Sequence, residues 1–114
     1  MTTKSKRKVR TDADGSVDAI EFLEAKHGKL TLGRLIRAIR QADELSLAEF
    51  SEKLGISRGH LSDIEKERKF INPGRAAEYA RLIGHAPNMF VQLSLEGLLE
   101  REGVEGTVQV KLAS

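Results

Sequence analysis

The sequence predicts an all-α domain of five helices, with an extra helix before it and a short strand after it. Two observations carry that expectation. Apolar residues recur at helical spacing in one segment after another, and capping residues or glycines stand at the segment ends. Only one stretch, residues 107–112, alternates with the period of a strand.

Residues 1–15 read as a flexible polar tail, with Asp14-Gly15 as a turn signal and Lys4, Lys6, Arg7, Lys8 and Arg10 as a dense positive cluster. Such a tail can simply solubilise the chain, or it can serve as an arm against phosphate or a minor groove. Residues 16–30 read as an accessory helix and linker. Ser16 can cap it, Val17, Ile20 and Leu23 share a face, and Gly28 closes it.

The domain proper is expected over residues 31–86. Thr31 caps a helix whose Leu32, Leu35, Ile36 and Ile39 form one stripe. Ser46 caps the next, because its hydroxyl can accept a backbone N–H with no partner inside the helix. Leu47, Phe50 and Leu54 share its face, and Gly55 ends it where a left-handed backbone is cheap for glycine. Ile56 can plug the space between helices. Ser57 starts a third helix, 57–66, with Leu61 and Ile64 turned inward. Cap, three-residue turn and cap in so short a span is the grammar of a helix-turn-helix. Asn72 and Pro73 open a fourth helix, with Ala76, Tyr79, Ala80 and Ile83 inward and Gly84 at its end.

Residues 87–114 read as a dimerisation helix and strand. The helix after Pro87 carries apolar residues on more than one stripe, so one face packs on the domain and a second needs another partner. Phe90, Leu95, Leu98 and Leu99 are the expected dimer contacts on the helix, and Val108 and Val110 on the strand. A lone strand leaves its backbone groups unpaired. It could pair with a second copy, with a partner protein's sheet or with a segment near residues 6–11.

The face of helix 57–66 opposite Leu61 and Ile64 holds Gly59, Ser62, Asp63 and Lys66, flanked by Arg58 and His60. It has no apolar residue, so burial does not explain it. Polar faces are common on surface helices, but the surrounding pattern is specific. Leu45-Ser46, Phe50, Gly55-Ile56-Ser57, Leu61-Ser62, Ile64-Glu65 and the basic run after them resemble the Xre/Cro family of lambda-repressor-like helix-turn-helix regulators. The resemblance covers roughly residues 32–84. It implies that helix 57–66 enters the major groove of double-stranded DNA. It also implies that Arg40 pairs with Glu65 to orient that helix. The chain departs from the family at Leu47, usually Gln, at Ser51, usually Ala, and at Glu67, usually Gly.

The DNA-contacting set is then Ser46, Ser57, Arg58, Gly59, His60, Ser62, Asp63, Lys66, Arg68 and Lys69. Arg58 suits a guanine O6/N7 edge, Asp63 could accept from cytosine N4, and Gly59 allows close approach to a base. Ser46 and Ser57 stand at helix starts, where free N–H groups favour phosphate; Arg68 and Lys69 suit the sugar-phosphate backbone.

Composition narrows the alternatives. The 114 residues hold no Cys, which excludes disulfides and thiolate chemistry. A net charge of +2 is too small to argue for nucleic acid by itself. Ser57, His60 and Asp63 tempt a triad reading, yet Ser57 and Asp63 lie about 9 Å apart along one helix axis at the standard rise, without convergence. His27, His60 and His85 lack metal-ligand spacing. No enzyme activity, cofactor, metal or membrane contact is expected, and the compartment is the cytoplasm. The function expected is a dimeric repressor on a pseudo-palindromic operator. The alternative is the antitoxin of a toxin–antitoxin pair, repressing its own operon and gripping a toxin through its tail or strand. A third class, the same fold used as a structural or coactivator module without DNA, would show no salt-dependent DNA affinity.

Overall fold

The computed structural model describes residues 29–113. The basic tail, the accessory helix expected to start at Ser16 and most of its linker lie outside them. Five helices follow within one unit, Thr31–Ser114: α1 (Leu32–Ala42), α2 (Leu47–Leu54), α3 (Arg58–Glu65), α4 (Pro73–Leu82) and α5 (Pro87–Arg101).

All five begin where expected, four of them on a side-chain cap. The side chains of Thr31, Ser46, Ser57 and Asn72 each accept a hydrogen bond from the backbone N–H three residues on. At α2 the exchange is mutual: Glu49 accepts from the Ser46 N–H at 2.9 Å, and Ser46 Oγ accepts from the Glu49 N–H at 3.0 Å. Those bonds hold the Glu49 carboxyl below its ordinary pKa, so acidification loosens this cap rather than strengthening it. Proline opens α5 without a side-chain cap.

All five helices end on a left-handed residue, two past the last helical one in four of them and directly after it in α2; its N–H returns to one carbonyl of the last turn, and the next N–H reaches the carbonyl before that. Glycine fills the left-handed place after α4 and α5, and Gly55 takes it directly after α2. Glutamates fill it after α1 (Glu44, φ 57) and α3 (Glu67, φ 62). Glu67 is where the resemblance leads one to expect Gly, and the backbone adopts the glycine conformation without one. A side chain there costs roughly 1–2 kcal/mol. Glu44→Gly is therefore expected to raise stability by about 0.5 kcal/mol, after the extra freedom of glycine in the unfolded chain is subtracted. Glu67→Gly should be closer to neutral, because it also removes the exposed ion pair to Arg34 at 3.3 Å. Urea denaturation of the two variants checks both the sign and the order.

The core is aliphatic with three aromatic anchors. Ile36, Phe50, Leu61, Ile64, Tyr79 and Phe90 are all buried, and Ala76 and Ala80 let helices come close. Ile56, expected as a plug, is only half-buried. Ser51 stands where the family usually has Ala; it is buried and its hydroxyl donates to the Ala48 carbonyl at 2.9 Å, so the polar group is satisfied within its own helix. α5 packs most extensively on α4. Ser94 donates to the Ile71 carbonyl at 2.6 Å and so fastens the α3–α4 loop to α5.

The C-terminal strand does not form. Val108, Val110 and Leu112 are half-buried while Thr107, Gln109 and Lys111 are exposed, so the alternation survives in an extended chain. Among the described residues there is no strand to complete a ladder with it.

Candidate nucleic-acid interface

The back of α3 is fastened in three ways. Leu61 and Ile64 are buried against the core. Glu65 accepts from Arg40 Nε at 2.7 Å and from Arg40 Nη2 at 3.0 Å. The third arm of the same guanidinium, Nη1, donates to the Leu45 carbonyl at 2.9 Å. One side chain of α1 thus holds both α3 and the segment that leads into α2. The hydrogen bonds to Glu65 raise the pKa of Arg40 above its already high ordinary value, so it stays charged throughout the accessible range. The third fastening is steric. Gly33 in the first turn of α1 faces the backbone of α3 so closely that a Cβ there would overlap the Ile64 carbonyl oxygen.

The front of α3 is open. Arg58, Gly59 and Lys66 are exposed, and His60, Ser62 and Asp63 are half-buried. A Cβ added at Gly59 would meet nothing within 4 Å, so the protein itself gives no steric reason for glycine. Ser57, Ser46, Arg68 and Lys69 are exposed around this face. Four members of the set are already engaged. The Ser46 and Ser57 hydroxyls accept from the Glu49 and His60 N–H groups, so phosphate would meet the remaining N–H groups of each helix start. Arg68 donates to Asp63 Oδ1 at 3.1 Å, which ties the loop after α3 to the open face.

The residues expected at a dimer contact separate. Phe90 is 2% exposed in the core and offers nothing to a second copy. The surplus apolar character of α5 is partly absorbed in the single chain, where Val91 and Leu93 are buried as well. Leu98 remains 37% exposed, and Leu95 and Leu99 are half-buried, as are Val108 and Val110 on the extended segment.

Sequence reasoning passed over Gly33 and Ser94. Gly33 carries no left-handed backbone to mark it. Ser94 looks like any polar residue on an apolar helix until its acceptor is seen. Among the described residues no group of His, Asp and Glu could hold a metal ion, and no helix is long and apolar enough to cross a membrane.

No curated protein and no solved structure matches the chain. A family model described as a helix-turn-helix domain matches residues 33–96, from the first turn of α1 into α5. That span takes in the two capped helices around Gly55, the Arg40–Glu65 clamp and the open face of α3. The chain belongs to this family, the helix-turn-helix domains of Xre/Cro-like type found in DNA-binding transcription regulators.

Proposed function

We propose that this protein is a dimeric, sequence-specific repressor. Two copies of α3 enter successive major grooves of a pseudo-palindromic operator, about one helical turn (~34 Å) apart. The observation that carries the reading is that Arg58 stands exposed on the first turn of a helix whose opposite face is clamped to the core. A guanidinium so presented can bond bidentately to guanine O6 and N7. Lys66 and Lys69 supply cations beside it, and the N–H groups at the starts of α2 and α3 suit phosphate oxygens. Bound to an operator that overlaps a promoter, the dimer represses by excluding polymerase. No enzymatic step enters this account.

Selection of bound sequences from a random duplex pool tests it. Wild type is expected to recover a two-fold symmetric motif, with affinity that falls steeply as salt rises. Arg58→Ala is expected to weaken binding to that motif by about 1–3 kcal/mol and to relax one position of each half-site. Equal weakening on every sequence would make Arg58 a phosphate contact instead. Gly59→Ala separates the surface from the fold. It should raise thermal stability by up to about 1 kcal/mol, because alanine is the better helix former, while lowering operator affinity. Failure of the pure wild type to recover any motif, with no salt-dependent affinity, sinks the reading.

A further inference from the structure

The C-terminal segment has one edge occupied and the other open. The chain reverses at Gly103 (φ 76) and runs back along α5 until the Val108 N–H donates to Glu96 Oε2 at 2.9 Å. Glu96 is 8% exposed, and Val108 is its one hydrogen-bond donor among the described residues. In extended chain, the N–H and C=O of one residue point to one edge, and those of its neighbours point to the other. Val108 therefore directs its backbone toward Glu96. Thr107 and Gln109 direct theirs the opposite way, where no hydrogen bond reaches them among the described residues.

We propose that this open edge pairs antiparallel with the same segment of a second copy, with Val108 opposite Val108. The proposal deepens the dimer put forward above and rests on it. The sequence is self-complementary about that residue. Glu105 falls opposite Lys111 and Thr107 opposite Gln109, each pair occurring twice by symmetry. All four side chains are on the exposed side of the segment, so the paired charges attract across the ribbon without desolvation. Sliding the register by two residues in either direction separates the Glu from the Lys. Sliding it by one sets the exposed side against the apolar side.

The backbone agrees with the same register. Because the Val108 N–H is turned to Glu96, Val108 must be a pair that exchanges no ladder bonds. Thr107 and Gln109 then form the bonded pairs, with the groups that no hydrogen bond reaches among the described residues. A pair of the first kind brings Cα atoms to about 4.5 Å, close enough for a disulfide. Two copies joined this way keep Val108 and Val110 on one face of the ribbon, over their own helices, and complete a ladder for which the described residues hold no second strand.

The natural absence of cysteine makes the test clean. Full-length Val108→Cys, oxidised in solution, is expected to become a covalent dimer. Thr107→Cys or Gln109→Cys alone should stay largely uncrosslinked, whereas the two together should link. Glu105→Lys is expected to weaken dimerisation by about 2–10-fold, and adding Lys111→Glu should restore it. Melting under reducing conditions verifies that each variant folds. A dimer by sedimentation that shows neither the Val108 crosslink nor the charge-swap rescue overturns the ribbon and leaves the dimer to be made elsewhere. A chain that sediments as a monomer at all accessible concentrations overturns both, while leaving the reading of α3 to its own DNA test.

Discussion

Glu65→Ala is expected to reduce the free energy of unfolding by about 3–5 kcal/mol. The substitution leaves the Arg40 guanidinium in a site where its side chain is 15% exposed, with only the Leu45 carbonyl to accept from it. Two of its three bonds are lost, and the charge cannot be shed, because no accessible pH deprotonates it. Small domains are stable by only about 5–15 kcal/mol, so the loss takes a large share of the whole. Replacing both partners by methionine should be far milder, since neither charge then needs a partner. Chemical denaturation of Arg40→Met, Glu65→Met and the double variant measures the coupling. Single effects that simply add would mean that the clamp holds nothing. The variant also bears on recognition: with Glu65 gone, the tie that sets α3 against α1 is missing, and operator affinity should fall even where the protein remains folded.

Gly33→Ala is expected to destabilise by about 1–3 kcal/mol, the range for an added methyl in a packed interior. The methyl would overlap the Ile64 carbonyl oxygen, which already accepts the Glu67 N–H at 3.0 Å where α3 ends. A backbone atom cannot swing aside as a side-chain tip can, so α1 and α3 must part. In a helix with space around it the same exchange normally gains stability. The sign is thus the diagnostic, and Gly59→Ala is the internal contrast: one glycine-to-alanine change lowers the melting temperature and the other raises it. For a domain of this size about 1 kcal/mol corresponds to roughly 4–8 °C, well within calorimetric resolution. A higher melting temperature for Gly33→Ala would contradict the close approach of the two helices.

The helices were legible because their ends are chemical. Thr31, Ser46, Ser57 and Asn72 announce themselves by residue type and by the apolar period that follows, and each does cap its helix. The Arg40–Glu65 contact is 25 residues apart in sequence, and only the family resemblance brought it into view. Gly33 was illegible for a related reason: what it must avoid is the backbone of another helix. The apolar excess of α5 was read correctly as more than one stripe. Phe90 is no dimer contact because its apolar period does not say which of two stripes the single chain buries, and the core takes it. The period-two alternation of 107–112 was also real, but alternation reports a two-sided chain, and a strand needs a neighbour as well.

α3 is about 12 Å long at the usual rise, too short to persist alone in water. What keeps it helical comes from behind and from its two ends, through Leu61, Ile64, Glu65, the Ser57 cap and the left-handed turn at Glu67. Of the outward positions, only Asp63 is tied to another side chain in the set. The front can therefore be rewritten at Arg58, Gly59, Ser62 and Lys66 with little penalty to the scaffold. A lineage could drift from one target to another through such exchanges, and a designer could graft new preferences onto those four positions while the buried side stays fixed.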